Sequence, residues 1–295
     1  MRRARPVLRY HGGKHNLAPW ILGHFPPHRI YVEPYGGAAS VLMYKPRVYA
    51  EVYNDMDGEV VNVFRVLQDP VAAGRLEELI RLTPFARQEF TLAYHPTEDP
   101  IERARRTIIK SFMGFGSSAI HGRSRGMRTR ASVWTTPATS FRANSNRSGT
   151  TPAHDWATWP DQIKTYVERL QGVVIEQRPA IEVVTMHDRP DALHYVDPPY
   201  VRSTRSKQRK RKSEYRFELD DNEHRILATV LHGLKGFVLI SGYPSDLYQE
   251  LYGDWHCFHR DALADGARRR LEALWVSPRA IAALKASHLQ LLEVL

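Results

Sequence analysis

The chain has a single cysteine, Cys257, in 295 residues. That excludes an internal disulfide framework and a cysteine-rich zinc site, and makes a reducing, cytoplasmic compartment the expectation. No apolar run approaches the ~18 residues that a membrane-spanning helix requires. The first residues, Met1-Arg2-Arg3-Ala4-Arg5-Pro6, lack the apolar stretch of a secretory signal. No internal repeat is visible. Hydrophobic residues make up 42% of the chain and charged residues 25%, which is the globular range and excludes wholesale disorder. The length suits one large domain or two small ones.

Acidic residues are missing where basic ones gather. The net charge is +10, and it is concentrated. Residues 112–154 hold no Asp or Glu but six arginines, Arg123, Arg125, Arg128, Arg130, Arg142 and Arg147. Residues 201–216 hold Arg202, Arg205, Lys207, Arg209, Lys210, Arg211, Lys212 and Arg216 against Glu214 alone. Two basic segments on a slightly acidic body point to a polyanion partner, nucleic acid first; the bland alternative is two solvated loops that aid solubility.

Hydrophobic periodicity predicts a helix over 16–25, a strand over 29–33, a helix over 38–44, a strand over 48–53 and a helix over 58–68. This alternation belongs to a parallel sheet with crossover helices. From 70 to 115 the pattern is helical, and from 116 to 160 it reads as irregular. Strands return at 173–175, 193–196, 236–241, 255–259 and 271–276, with helices over 220–234, 245–251 and from 279 onward. The helix at Asp220 opens with a D-x-x-E signature.

Several motifs carry chemistry. Tyr35-Gly36-Gly37-Ala38-Ala39 lies between a strand and a helix, where ligands of open α/β sheets bind; a mere tight turn is the alternative. Asp55 ends the next strand, placed either to accept ribose hydroxyls or to cap the following helix. Gly12-Gly13-Lys14 fails the phosphate-loop pattern, since Leu8 and His15 stand at two of its required positions. His11 and His15 have metal-pair spacing, but the two glycines between them disfavour a helix. The sharpest signal is Asp197-Pro198-Pro199-Tyr200 at the end of a hydrophobic strand. Two prolines remove two N–H donors and leave carbonyls, so a carboxylate, a carbonyl and an aromatic face suit the binding of a planar amine; a mere proline-rich strand exit is the alternative.

That D-P-P-Y motif resembles the catalytic motif of amino-methyltransferases acting on nucleobases. The chain as a whole resembles the D12, or Dam-like, class of DNA adenine-N6 methyltransferases. Arg9-Tyr10-His11-Gly12-Gly13-Lys14, followed by Leu17 and Ile21, is similar to the family's K-W-x-G-G-K cofactor motif. Glu33-Pro34-Tyr35-Gly36-Gly37-Ala38-Ala39-Ser40-Val41 is similar to E-P-F-x-G-x-G-S-V, and Asn54-Asp55-Met56-Asp57 to the acidic motif of the second strand. Ser111 to Gly116, Ser241-Gly242-Tyr243 and Glu272-Ala273-Leu274-Trp275 are similar to later blocks. Ala39 replaces the usual second glycine and Tyr10 the usual tryptophan, and residues 117–160 align with nothing.

The resemblance implies a Rossmann-like, S-adenosylmethionine-dependent α/β methyltransferase sheet flanked by helices, covering 1–70 and 165–295, with an inserted mainly helical and loop target-recognition region at 71–164. It implies methyl transfer from S-adenosylmethionine, without a metal, to N6 of a flipped-out adenine in double-stranded DNA, within a restriction-modification or similar setting. Asp197, Pro198 and Tyr200 would be catalytic. Tyr10, Gly12, Lys14, Glu33, Pro34, Tyr35, Gly36, Gly37, Asp55, Met56 and Asp197 would form the cofactor site. Arg123, Arg125, Arg128, Arg130, Arg205, Arg209, Lys210, Arg211 and Lys212 would contact DNA. Trp134, Phe141, Trp156 and Trp159 fit either wedges into the base stack or core. The alternatives are an RNA adenine-N6 methyltransferase and a catalytically idle DNA-binding protein of the same fold.

Overall fold

The computed structural model describes residues 5–10, 12–114, 120, 141–142, 151–204, 216–264 and 268–293. In chain order the elements are α1 (Ala18–Leu22), β1 (Ile30–Glu33), α2 (Ser40–Tyr44), β2 (Ala50–Asn54), α3 (Gly58–Gln68), α4 (Pro70–Leu82), α5 (Arg87–Leu92) and α6 (Pro100–Met113). There follow α7 (Pro152–Thr158), α8 (Ile163–Leu170), β3 (Val173–Glu176), α9 (Ala180–Met186), β4 (Ala192–Val196) and α10 (Asp221–Gly233). The chain closes with β5 (Phe237–Gly242), α11 (Asp246–Tyr252), β6 (His256–Ala264), β7 (Arg268–Val276) and α12 (Pro278–Glu293). Contacts divide it into two units, one of residues 14–56 and 172–295, the other of 1–13 and 57–171.

The first unit holds a seven-stranded mixed sheet flanked by helices, in the order β3-β2-β1-β4-β5-β7-β6. β1 to β5 run parallel. β7 is antiparallel to β5, and β6 antiparallel to β7. This is the expected Rossmann-like α/β sheet. β4 reads Ala-Leu-His-Tyr-Val and is buried along its whole length, as a central strand covered on both faces must be. The chain winds from β1 outward through β2 to β3, then returns to place β4 on β1's other side. The switch in winding therefore falls between β1 and β4, where ligands of such sheets bind. Beyond β5, Leu227, Leu231, Tyr248, Tyr252, Trp255 and Trp275 form an apolar cluster with Val196 and Ile240. The expected D-x-x-E start of α10 is a true capping box between Asp220 and Glu223. β6 and β7 extend past their expected ends because their pairing continues to Ala264 and Arg268.

The second unit is helical. α3 packs on α4, α6 and α8, and α6 buries Ala104, Ile108, Ile109, Phe112 and Met113. α3 was expected to belong with the sheet, with a boundary at 70/71. It groups with the helices instead, because Val60, Val63, Phe64 and Leu67 are buried on a helix so packed. Likewise the irregular stretch expected up to 160 ends earlier, at α7. Pro152 sits in that helix's first turn, where proline is tolerated, and Thr151 caps it.

Trp156 and Trp159 are core, and Phe141 is half-buried. Trp159 is fully buried, and its indole N–H donates to the Val7 carbonyl at 3.2 Å. Trp156 donates to the Thr83 carbonyl at 2.8 Å. Phe141 packs on Phe85 and Phe90. Trp134 lies outside the described residues. Trp159→Ala is therefore expected to lower the free energy of unfolding by about 3–5 kcal/mol in urea denaturation. A loss below about 1 kcal/mol, the range of a surface change, would contradict a core role.

Candidate active site

Two turns meet at the switch point. Glu33-Pro34-Tyr35-Gly36-Gly37 leaves β1, and Asp197-Pro198-Pro199-Tyr200 leaves the neighbouring β4. The first turn is tightly specified. A Cβ on Gly36 would lie 2.1 Å from Cε2 of Tyr53, so no larger residue fits. The Tyr53 hydroxyl donates to the Gly37 carbonyl at 2.8 Å. Gly37 has φ 47° and Ala39 φ 52°, a left-handed bend that is cheap for glycine and costly for alanine. Asn54 amide N–H groups reach the carbonyls of Pro34 (2.8 Å) and Arg178 (3.0 Å), and its Oδ1 accepts from the Arg178 N–H. This staple was not assigned from sequence.

Asp55 follows β2. Its Oδ2 accepts the Gly37 N–H at 2.8 Å. It does not cap α3; Asp57 does, accepting the Glu59 N–H at 3.0 Å. Asp55 thus lies directly against the glycine turn, with half-buried Met56 next in the chain. Glu33 is buried, and its Oε2 accepts from the Tyr31 hydroxyl (2.8 Å) and the Leu42 N–H (3.0 Å). Its observed bonds therefore anchor α2 behind the turn. Tyr35 is half-buried against the cluster beyond β5. Burial, then the Glu223 and Asp55 charges, raise its phenol pKa.

Asp197 is the electrostatic centre. Lys14, held before α1 by Leu17 and Ala18 N–H bonds to its carbonyl, brings its ammonium to 3.0 Å from Asp197 Oδ1. Both side chains are withdrawn from water, 5% exposed for Lys14 and 18% for Asp197. The pair is ionic rather than a well-aligned hydrogen bond, for Oδ1 has no partner of that geometry among the described residues. Burial pushes the Asp197 carboxyl from its ordinary 3.8 up to about 6, against the pull of Lys14. Pro198 and Pro199, both buried, have no N–H to give the carboxylate.

Tyr200 completes the group. Its ring lies 4.7 Å from the Lys14 ammonium and meets Tyr243 edge-on at 4.6 Å between centroids. Its hydroxyl donates to Glu272 Oε2 at 2.8 Å. The Tyr195 and Ser241 hydroxyls, 2.6 Å apart, tie β4 to β5 beneath. In the sequence Glu272 and Ser241 stand out only within blocks similar to the family's. The signal was present in Glu272, a lone carboxylate within the apolar run of β7.

Among the expected site residues, Lys14, Glu33, Pro34, Tyr35, Gly36, Gly37, Asp55, Met56, Asp197, Pro198 and Tyr200 all belong to the sheet unit. Tyr10 and Gly12 belong to the helical unit. There the Tyr10 carbonyl accepts the Gly13 N–H at 3.2 Å, and Gly12 has φ 75°. Arg123, Arg125, Arg128, Arg130, Arg205, Arg209, Lys210, Arg211 and Lys212 lie outside the described residues, as does His11. His15 sets its ring edge-on to Tyr44 at 5.2 Å.

The raised carboxyl makes a stability prediction. An acid whose pKa rises on folding favours the folded state most when protonated. For Asp197 that contribution is full below pH 3.8 and is lost as pH rises through about 6. The full loss is on the order of 3 kcal/mol. The stability of Asp197→Asn minus that of the unaltered protein should therefore grow by that order between pH 4 and pH 7 in denaturant titrations. A difference constant across this range would contradict the desolvated carboxylate.

Comparison with curated proteins finds no match. No described helix is long and apolar enough to cross a membrane. Residues 10–103, which include Lys14, the glycine turn and Asp55 but end before Asp197, match the family model described as D12 class N6 adenine-specific DNA methyltransferase, and over that stretch the chain is similar to that family.

Proposed function

We propose that this protein transfers a methyl group from S-adenosylmethionine to N6 of adenine in DNA: an N–CH3 bond would form as the S–CH3 bond breaks, S-adenosylhomocysteine would leave, and one N6 proton would pass to solvent. The observation that carries the reading is the Asp197-Pro198-Pro199-Tyr200 turn at the switch point, beside the glycine turn of the stretch similar to the methyltransferase family.

The donor set suits the cofactor. Asp55, fixed by the Gly37 N–H at 2.8 Å, stands where a carboxylate takes up ribose hydroxyls in sheets of this kind. The amino acid moiety would lie against the Gly36-Gly37 turn, and Met56 would offer an apolar surface to the purine. Lys14 would contribute from the segment before α1. S-adenosylmethionine supplies an electrophilic methyl on a sulfonium when bound.

The residues of the chain handle the amine. An exocyclic adenine amine is inaccessible within the duplex, so the base must leave the stack. Its lone pair is delocalised into the ring and is a poor nucleophile. The Asp197 carboxylate and the Pro198 carbonyl accept its two N–H bonds, favour a pyramidal nitrogen and stabilise the positive charge that grows on it. Tyr200 gives the base an aromatic face. Asp197 does this only when ionised, hence above about pH 6. Arg123, Arg125, Arg128 and Arg130, with Arg205, Arg209, Lys210, Arg211 and Lys212, supply the charge for phosphate contacts and, among the arginines, guanine readout.

Asp197→Ala is expected to abolish methyl transfer to DNA, since it removes an acceptor needed in the transition state. Mass spectrometry of nucleosides from digested DNA should find N6-methyladenine with the unaltered protein and none with the variant. N4-methylcytosine in its place would overturn the base assignment, and methylation of RNA alone would overturn DNA as substrate.

A further inference from the structure

On the proposed function Tyr200 faces the target base, and its ring must be held for that task. A tyrosine ring on a turn has two soft torsions, and a stacking surface is useful only if its plane is fixed. Three contacts fix it. The Lys14 ammonium lies 4.7 Å from the ring centroid. Tyr243, just beyond β5, meets it at 4.6 Å and 77°. The third is directional: the phenol O–H donates to Glu272 Oε2 at 2.8 Å.

Glu272 is suited to that task by its strand. Ser241 and Gly242 pair with Leu274 and Ala273, so Glu272 is the first β7 residue past the end of β5, level with the turn that carries Tyr243. Because β7 runs antiparallel, its early residues reach the end of the sheet at which β4 delivers Asp197. Glu272 is 8% exposed. A buried carboxylate in an apolar strand is costly unless hydrogen-bonded. Burial, followed by the Glu272 and Asp197 charges, keeps the Tyr200 phenol protonated and hence a donor. Two residues earlier, the Arg270 guanidinium lies 5.7 Å from the Tyr243 centroid, so the same strand also meets the second ring.

We propose that Glu272 is a positioning residue for methyl transfer, which through its bond to the Tyr200 hydroxyl fixes the plane of the ring that receives the target base. This rests on the proposed function. It goes beyond it in assigning the orientation of Tyr200 to a residue of the antiparallel strand.

The test is a double-mutant cycle on the full-length protein with Tyr200→Phe, Glu272→Ala and both together, with Glu272→Gln as the conservative variant. Single-turnover methylation is measured on a DNA duplex of a methylated sequence, and extrusion is followed by 2-aminopurine in the target position. Each single change is expected to slow methyl transfer by roughly tenfold or more, the worth of one hydrogen bond to a charged acceptor. Affinity for S-adenosylmethionine should stay the same. The double variant should be no slower than the slower single one. Glu272→Gln, which can still accept the bond, should recover most of the rate, and the 2-aminopurine signal of the extruded base should fall only in the variants that lack the bond. Should Glu272→Ala fail to fold, Tyr200→Phe and Glu272→Gln form the cycle: the Gln change should then matter little in either background. Losses that multiply, or a Gln variant as slow as Ala, overturn the role of Glu272. An unaltered protein that methylates no DNA adenine overturns instead the reading on which it rests.

Discussion

A carboxylate withdrawn from water at the end of a buried strand is the constraint around which the sheet unit is organised. An ordinary strand exit would satisfy Asp197 with backbone N–H groups, and those bonds would hold its pKa low. The two prolines that follow provide none. Lys14 is the ionic partner at 3.0 Å, yet it does not offset the loss of hydration, and the carboxyl stays raised at about 6. The result is an acceptor whose charge is incompletely neutralised. Such a group is a liability for stability, and on the proposed function it is an asset beside an amine that must gain positive charge.

The rest of the site is built to keep this acceptor and its neighbours still. Tyr53 fills the space that a side chain at Gly36 would need, so the glycine turn cannot relax toward β2. Asp55 takes the Gly37 N–H, and Asn54 holds both the Pro34 carbonyl and the start of the segment that leads to α9. Residues at the ends of β1, β2, β4 and β5, with Glu272 midway along β7, are thereby brought to one end of the sheet. The antiparallel β7 matters here, since its pairing with β5 stops at Ala273 and leaves Glu272 at that end.

Much of this was legible in the sequence, for identifiable reasons. α3 has the bounds its Val60-Val61-x-Val63-Phe64-x-x-Leu67 pattern predicts, because a long apolar stripe leaves little choice of period. The strand that ends in Asp-Pro-Pro-Tyr was read correctly, since prolines end a strand unambiguously. α9 was missed: Ile181, Val183 and Val184 are β-branched and weak helix formers, and burial, with Val183 against Val32 and Val52, overrides that preference. α7 lies inside the stretch expected to be irregular up to 160, yet Pro152 and Pro160 each begin a helical turn there. The choice between capping and ligand roles for Asp55 needed coordinates, since Asp57 stands two residues away and competes for the cap. The Glu272 bond to Tyr200 joins residues 72 apart, and no local pattern reports a pairing made by sheet order.

On the proposed function, an ionised Asp197 in a desolvated setting does the chemistry. This role is tested most directly by the pH dependence of kcat/KM for methylation of duplex DNA between pH 4.5 and 8.5. With Asp197 titrating near 6, the rate should be level above about pH 7 and fall roughly tenfold per pH unit below about 5.5. A rate that stays flat through pH 5 would mean that the carboxylate is either not desolvated or not required, and would contradict the account.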